Sequence, residues 1–320
     1  MICDMWDYHH SRNATLRVGE MAPSMNRVII EMRDRGALVV HAQSSCMDSY
    51  KDHPARKRAQ SAPAADNLPD EINSWCKSIP GEEIEMYPID QSDGGGDDDP
   101  EILEAWRNYL VSIQRDAGRP WKRQIETLSI DPARDVISDK GDEIWNVMEQ
   151  RGIKNVVLLG VHTNMCVLGR PFGLRQMAKN GRNVVLMRDM TDTMYNPARE
   201  PFVSHYRGTD LIIEHIEKYV APTVTSDQMI GGKMFKFRWD APTTVVIVIA
   251  EPEYKTWETL PALAKKIWTQ QRGYDCKVLI GDPSKHSIPG LVEALPEADV
   301  LVLSVRRQAL PQDQLQAVRD

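Results

Sequence analysis

The 320-residue sequence contains no apolar run long enough to cross a bilayer. Its longest run, TVVIVIA from Thr244 to Ala250, is far shorter than the roughly 20 residues of a membrane-spanning helix. The first ten residues also lack a basic segment followed by an apolar one, so they do not read as a secretory signal. We therefore expect no membrane partner and, by default, a cytoplasmic protein; export stays open if a signal was lost upstream of Met1.

Cysteine is scarce, and basic residues are outnumbered. The five cysteines are odd in number and none forms a CxxC spacing, which argues against a disulfide framework and a zinc knuckle.

The 39 Lys+Arg against 46 Asp+Glu give a net charge of -7, which disfavours nucleic acid as a partner. With 42% hydrophobic and 27% charged residues, the composition is typical of a globular enzyme for a small-molecule substrate. At about 150 residues per domain, the length predicts about two domains.

Helices and continuous apolar strands alternate along residues 1–225. In chain order the patterns are a helix around 21–32, a strand at 37–41, a helix around 144–148, a strand at 155–161, a helix at about 164–180, a strand at 183–187 and a helix around 211–216. Such alternation predicts parallel βαβ units and an α/β fold. The pattern weakens between about 51 and 134, which we interpret as a long insertion. Its QSDGGGDDDP stretch predicts a flexible acidic turn that forms part of a site or is simply solvated.

A second α/β series follows residues 226–243, for which we predict a linker or β-hairpin carrying Met234, Phe235, Phe237 and Trp239. Residues 244–320 contain strand patterns at 245–249, 276–280 and 300–303, with helices between them and after Gln312. Three parallel strands make only part of an open sheet. We expect an incomplete flavodoxin-like domain that is truncated at its end or docks on the first domain.

The strongest local signal is GVHTNMCVL, from Gly160 to Leu168, which follows a strand and opens a helix. A cysteine in the first helical turn at the carboxyl end of a parallel strand is predicted to be stabilised as a thiolate. Such placement can lower a thiol pKa from about 8.5 to roughly 3.5–7.5, and Asn164 is a suitable N-cap. The alternative interpretation of Cys166 is a buried cysteine that acts as a small apolar residue.

Asp4 is the second signal, because ICDMWD places a carboxylate directly after an apolar start. We expect this start to be the stub of a truncated strand whose beginning lies upstream. Asp4 would then emerge at its carboxyl end beside Cys166 and act as a base. A helix cap or a surface acid is the alternative.

These residues resemble the isochorismatase-like cysteine hydrolases, a family that includes nicotinamidases and carbamoylsarcosine amidases. CDMWD is similar to the family's DMQND-like motif, and Gly160, Val161, Thr163, Cys166 and Val167 match its G-V-x-T-x-x-C-V block. The resemblance covers about residues 1–222 and implies a Rossmann-like six-stranded parallel sheet with an Asp-Lys-Cys triad. It also implies a cis peptide bond between Val161 and His162, which directs the Met165 and Cys166 amides at the substrate oxygen.

The resemblance places the lysine of the triad at Lys140, although DVISDKGDEIW departs from the family's K-x-x-x-S-A-F setting. The alternatives are Asp139 in that position and Lys122 reaching in from the insertion. We further expect His9, His162 and Tyr195 to line the substrate pocket. Homo-oligomers are common in this family, and we expect one here.

No cofactor is expected. Some family members bind a divalent ion through an Asp-x-His pair, but Asp48, Asp52 and His53 have poor spacing for one ion. His9 and His10 are better read as pocket-lining or capping residues than as ligands.

Residues 244–320 are similar to the start of the trehalose-utilisation (ThuA-like) branch of the glutamine-amidotransferase-like fold, in TWETLPALAKKIW and ADVLVLSVRR. This part contributes no catalytic residue. The whole sequence therefore predicts a cysteine hydrolase of a small amide, or less favourably of a vinyl ether. The alternative is a catalytically silent binding or scaffold module with the same fold.

Overall fold

The protein is described here from a computed structural model that covers residues 1–82, 87–238, 240, 242–251, 253–269, 274–282, 284–307 and 309–319. The chain divides into two compact units. The first comprises Met1–Pro201 and Gly208–Phe237, and the second comprises Phe202–Arg207 and Arg238–Asp320.

The first unit is built on a six-stranded parallel sheet in the order β3-β2-β1-β4-β5-β6. Its strands are β1 (Ile2–Cys3), β2 (Val40–Ala42), β3 (Val136–Ile137), β4 (Asn155–Val161), β5 (Asn183–Asp192) and β6 (Thr223–Val224). The predicted α/β class and six-stranded parallel sheet are therefore confirmed as a coarse Rossmann-like arrangement. The strand predicted at 37–41 begins later, because Gly36 adopts a positive φ of 91° and a loop precedes Val40.

Seven helices of the described chain pack around or beside this sheet. They are α1 (Arg12–Asp34), α2 (Pro54–Gln60), α3 (Pro100–Ser112), α4 (Gly141–Gln150), α5 (Leu174–Lys179), α6 (His205–Tyr219) and α7 (Ser226–Ile230). The longest, α1, begins where the Ser11 side chain accepts the Ala14 N–H at 3.1 Å. Its apolar stripe, which includes Met21 and Met25, packs in one core with Ile2 of the central strand.

The helix predicted from about 164 to 180 is two separate pieces. A π-helical turn covers Thr163–Val167, and α5 begins only at Leu174. Pro171 lies between them, and a proline has no N–H for a continuing helical ladder. The segment that carries Cys166 is therefore a short turn rather than the first turn of a long helix.

The acidic stretch of the insertion is tied to the body of the first unit. Asp97 accepts a hydrogen bond from Arg17 at 2.7 Å, and the same guanidinium pairs with Asp192 at 2.8 Å. At Gly95, a Cβ would lie 2.3 Å from the carbonyl oxygen of Met194. The acidic turn is therefore anchored at two points, because the Asp97 carboxylate pairs with the buried Arg17 and Gly95 permits close contact with the Met194 backbone.

The segment predicted as a linker or hairpin belongs in part to the first unit. Residues 226–230 form α7, and Phe235 and Phe237 pack against the core under α1. Asp189 in β5 accepts the backbone N–H of Ser226 at 2.9 Å and of Phe235 at 3.0 Å. No strand forms among the described residues of this segment before β7, and Trp239 lies outside the described residues.

The second unit contains a three-stranded parallel sheet in the order β8-β7-β9. Its elements are β7 (Thr243–Ala250), α8 (Thr256–Ile267), β8 (Tyr274–Ile280), α9 (Leu291–Ala294), β9 (Val300–Val305) and α10 (Gln312–Arg319). Alternate residues of β7 enter separate apolar clusters: Val246 packs with Ile288, and Ile247 with Ala264. The predicted second α/β sheet is thus present. No described helix combines the length and apolarity that a bilayer crossing requires.

Candidate active site

Asp4 lies directly after the central strand β1 and is fully buried. Its backbone has a positive φ of 45°, and its N–H donates to the Ala42 carbonyl of neighbouring β2 at 3.1 Å. The carboxylate Oδ1 accepts the backbone N–H of Ser44 at 2.7 Å. The loop after β2 therefore fixes the orientation of the Asp4 carboxylate.

Cys166 follows the adjacent strand β4, and its side chain is also buried, with 8% of the residue exposed. The parallel register pairs Cys3 with Gly160, so both strands end at the same edge of the sheet. Gly160 has a φ of 112°, and a Cβ there would lie 2.0 Å from the Cys3 carbonyl oxygen. Because only glycine tolerates both conditions, Gly160 allows the chains that carry Asp4 and Cys166 to approach closely.

The cation of this cluster is Arg170, which the sequence analysis missed. Its Nε lies 3.6 Å from Oδ2 of Asp4, and its charge also acts on the Cys166 thiol. On its other side the guanidinium lies over the ring of Trp75, 5.2 Å from the centroid. The four-residue spacing from Cys166 to Arg170 was a usable signal, since residues four apart meet on a helical turn.

The insertion supplies part of the wall around this arginine. A Cβ on Gly169 would lie 2.5 Å from the Trp75 indole, so the ring rests directly on the backbone before Arg170. The Cys76 N–H donates to the Gly169 carbonyl at 2.8 Å. Trp75 itself is 43% exposed. This contact brings residues of the insertion to the Asp4–Cys166–Arg170 cluster.

Burial and charge set the protonation of the cluster. Burial, and then the Asp4 carboxylate, raise the pKa of the Cys166 thiol, while Arg170 opposes them. Burial also raises the pKa of Asp4, again against Arg170. The predicted low-pKa thiolate is therefore wrong for the free protein: the turn is too short to supply a large dipole, and the desolvated thiol stays protonated at neutral pH.

Lys140 does not take the predicted place in the cluster. It lies before α4 with its side chain 58% exposed, and its Nζ is 3.8 Å from Glu143. Neither alternative from the sequence occupies the cation position either. Asp139 accepts the Ser45 N–H at 3.0 Å, and Lys122 directs its Nζ at the Gln114 carbonyl at 3.4 Å. The positive charge comes instead from the turn of Cys166 itself.

The peptide bond between Val161 and His162 is cis, which is the isomer that the family resemblance implies. One of the two predicted oxyanion donors, however, already donates a hydrogen bond within the turn that follows. The Met165 N–H donates to the His162 carbonyl at 3.0 Å, and Val167 donates to the same oxygen at 3.1 Å. The Met165 amide is therefore already hydrogen-bonded within the turn. The role of the Cys166 amide as an oxyanion donor stays a prediction.

Two of the predicted pocket residues lie together in an aromatic cluster. The His9 and His162 rings meet edge to face with centroids 5.0 Å apart, and His9 stacks near Trp6 and Trp121. The His9 Nδ1 accepts the Ser11 N–H at 3.1 Å. Burial, followed by the nearby His162, lowers the pKa of His9 well below its usual range. His9 is therefore uncharged at neutral pH, and its ring lies against that of His162, which follows the cis peptide bond.

Tyr195 is a core residue rather than a pocket residue. Its side chain is fully buried, and its hydroxyl donates to the Arg199 carbonyl at 2.7 Å. The ring packs so tightly on Gly208 that a Cβ there would lie 2.3 Å from it. The prediction of a pocket role for Tyr195 fails because the chain after β5 turns its ring into the interior.

Hydrogen bonds from buried polar side chains hold the turn of Cys166 in place. Asn164 does not cap a long helix; its side chain donates to Gln91 at 2.8 Å and exchanges hydrogen bonds with the backbone of Met194. The Thr191 hydroxyl donates to the Gly160 carbonyl at 2.8 Å and lies 2.7 Å from the hydroxyl of Thr163. The end of β5 and the acidic stretch thus position the turn that carries Cys166.

Within the described ranges, no group of three or more His, Cys, Asp or Glu side chains is arranged to hold a metal ion. His53, considered as a ligand, instead caps α2 by accepting the Ala55 N–H at 3.2 Å.

Comparison with known proteins found no matching family model, curated protein or solved structure.

Proposed function

We propose that this protein is a cysteine-dependent hydrolase of a small amide. The observation that carries the proposal is the cluster of the buried Asp4 and Cys166 with the partly exposed Arg170, in which a thiol, a carboxylate and a guanidinium lie together where two parallel strands end. The resemblance of the residues around Gly160 to the isochorismatase-like hydrolases supports the same chemistry.

The resting thiol is neutral, so attack must be coupled to proton transfer. As the Cys166 sulfur forms its bond to the substrate carbonyl carbon, Asp4 accepts the thiol proton and the carbonyl oxygen gains the negative charge. Asp4 then returns this proton to the leaving amine as the carbon–nitrogen bond breaks, which leaves a thioester. Asp4 next deprotonates a water that attacks the thioester, and the acid product and the thiol are released.

Arg170 supplies charge rather than protons. A guanidinium is protonated at all ordinary pH values and cannot act as a general acid or base. Its attraction for both Asp4 and Cys166 means that the cluster keeps a cation beside the negative charge, whichever of the two groups carries that charge. The proton steps therefore fall to Asp4 alone.

A silent binding module is the second candidate, and a specific observation favours it. The Cys166 thiol is nearly fully buried, and its pKa is raised by burial and by Asp4. A thiol in this state is a poor nucleophile, because the attacking form is the thiolate and burial disfavours that form.

Reaction with a panel of small primary amides, scored by ammonia release, separates the two candidates. The hydrolase proposal expects turnover that Cys166→Ala abolishes and that Cys46→Ala retains, because Cys46 lies after β2 and serves as a matched buried-thiol control. A covalent acyl adduct on Cys166, detected by mass spectrometry after rapid quenching, would identify the intermediate. Equal ammonia release by wild type and Cys166→Ala would refute the proposal, and no release by the wild type would favour the binding module.

A further inference from the structure

Two polar atoms that face each other in the Asp4–Cys166–Arg170 cluster make no hydrogen bond to a nitrogen or oxygen atom of the described residues. They are Oδ2 of Asp4 and Nε of Arg170, which are buried and lie 3.6 Å apart, farther than the roughly 2.7–3.2 Å of a hydrogen bond. A buried donor or acceptor that lacks a partner is costly. An amide would satisfy both atoms, because its carbonyl oxygen accepts a hydrogen bond and its N–H donates one.

Arg170 lies where the carbonyl oxygen of a substrate must come. Its backbone N–H donates to the Cys166 carbonyl at 3.1 Å, so both side chains leave the same turn. Its guanidinium lies close enough to the Cys166 thiol to hydrogen-bond it. An oxygen on the carbon that Cys166 attacks is only two bonds from the sulfur, and it therefore forms within reach of the guanidinium.

The charges of the cluster suit an oxyanion at this position. Before attack, the Arg170 guanidinium faces the Asp4 carboxylate. When the sulfur–carbon bond forms, the thiol proton moves to Asp4 and the electron pair of the carbonyl π bond moves to oxygen, so Asp4 becomes neutral as the oxygen becomes negative. The guanidinium therefore faces one anion before and after attack. A carboxylate beside the scissile carbonyl would add a second anion next to Asp4, which favours uncharged amides.

We propose that the Arg170 guanidinium is a catalytic residue that donates a hydrogen bond to the carbonyl oxygen and holds the oxyanion, and that the site takes uncharged amides. This inference rests on the proposed function and deepens it. When the oxyanion collapses, the carbonyl bond forms again, the carbon–nitrogen bond breaks and Asp4 returns its proton to the nitrogen. Arg170 then faces the Asp4 carboxylate once more. A fixed cation beside the developing charge is the arrangement that stabilises such intermediates.

The test uses the full chain and propionaldehyde labelled with carbon-13 at the carbonyl carbon. Addition of the Cys166 thiol to this uncharged aldehyde gives a hemithioacetal, which has the oxygen of the intermediate but no leaving group. Carbon-13 NMR follows ionisation of its hydroxyl without turnover, and Cys166→Ala identifies the signal of the adduct. An Asp4→Asn background leaves the hydroxyl as the group that titrates beside Arg170. The thiol is consumed in the adduct, so its own pKa does not enter the titration.

In this background the hydroxyl should ionise at least about one pH unit lower with Arg170 present than in Arg170→Gln, which is about tenfold in the ionisation constant. Arg170→Lys should give an intermediate value, because it keeps the charge and loses the Nε donor. Lys140→Gln, the exposed control, should leave the titration unchanged. In the protein with all its native residues, the Arg170 Nε–H proton, assigned by its loss in Arg170→Lys, should move downfield when the adduct forms. This measurement stands even if Arg170→Gln fails to fold.

Three results would overturn the inference. Equal titration with Arg170 and with Gln at that position would assign the oxygen to the Cys166 amide. An unmoved Nε–H proton in the adduct would show that the guanidinium does not contact the oxygen, and a lack of any adduct at millimolar aldehyde would show that no carbonyl fits there. Because the adduct forms without turnover, a lack of ammonia release with a shifted titration would refute only the proposed hydrolysis. Turnover with an unshifted titration would refute only the role of Arg170.

Discussion

At the scale of single residues, the Arg170 guanidinium acts on two buried acidic groups, the Asp4 carboxyl and the Cys166 thiol. Asp4 and Cys166 both have raised pKa values because burial penalises their charged forms, and Arg170 partly offsets this for each. The pKa of each of these two groups therefore lies above that of an exposed carboxylate or thiol. Removal of the Asp4 charge should lower the pKa of the Cys166 thiol, and removal of the Arg170 charge should raise it.

Replacement Asp4→Asn removes the charge that raises the pKa of Cys166, so the thiol should become more acidic. The pH profile of iodoacetamide alkylation at Cys166 should shift to lower pH, while amide turnover falls by at least about 100-fold because the base is lost. A reactive thiol with lost turnover is not expected of a purely structural aspartate. An unshifted alkylation profile in a folded variant would contradict the contact between the two groups.

Replacement Arg170→Gln should raise the pKa of Cys166 further, since the opposing cation is removed. Alkylation by iodoacetamide should then need a higher pH, and Arg170→Lys should restore part of the wild-type profile by keeping the charge. Lys140→Gln is the matched control, because that lysine is exposed and paired with Glu143. A larger shift in Lys140→Gln than in Arg170→Gln would return the triad role to Lys140.

The fully buried Asp135 should make stability depend on acid pH. Burial would raise its pKa, but hydrogen bonds from His41 and Arg33 outweigh burial and lower the pKa to about 2. The unfolded chain has the higher pKa and binds the proton first, so this stabilisation is present above about pH 4 and is lost as pH falls towards 2. Asp135→Asn should remove roughly 2 kcal/mol of pH dependence in all, of which about 1 kcal/mol falls between pH 7 and pH 3. Urea unfolding at pH 7 and pH 3 gives the loss of unfolding free energy over this range for the wild type and for the variant. An equal loss in both would contradict the prediction.

At the scale of elements, the connection after β4 depends on one glycine and one interruption. Gly160 lets β4 approach β1, and the chain around Pro171 separates the turn of Cys166 from α5. Together they keep Arg170 on the same short turn as the thiol. A continuous helix over 164–180 would have a different geometry after Val167.

Replacement Gly160→Ala should destabilise the protein by about 3 kcal/mol or more, because its Cβ meets the Cys3 backbone and its φ is positive. Gly152→Ala is the control: its φ is also positive, at 64°, but no heavy atom lies within 4 Å of the added Cβ. That control should cost only about 1–2 kcal/mol. Equal losses in urea unfolding would show that close approach of the two strands is not the cause.

At the scale of the whole molecule, the first unit extends beyond its last strand. Phe235 and Phe237 pack on its core, although the sequence predicted a linker there. Phe235→Ala with Phe237→Ala should destabilise this unit by about 2 kcal/mol, and Met234→Ala, 42% exposed, should change it little. Amide exchange in β4 reports this unit alone. Unchanged exchange in the double variant would restore the linker interpretation.

The sequence by itself determined the class of the fold and the edge of the sheet where the candidate site lies. Apolar periodicity is local, so β4, β5 and β7 could be predicted, and parallel strands bring Asp4 and Cys166 to one edge without knowledge of packing. The strand boundaries, the break after Val167 and the core role of Tyr195 were decided by tertiary contacts.

Only the tertiary structure decided which cation serves the cluster and which charge the thiol carries. The position of Arg170 depends on how the short turn of Cys166 leaves β4. The position of the acidic stretch depends likewise on a tertiary contact, the ion pair between Arg17 and Asp97. The pKa of Cys166 depends on how completely the fold removes it from water. The spacing from Cys166 to Arg170 indicates that the two are neighbours on a turn, but the burial of Cys166 and the distance from Arg170 to Asp4 are properties of the packed chain.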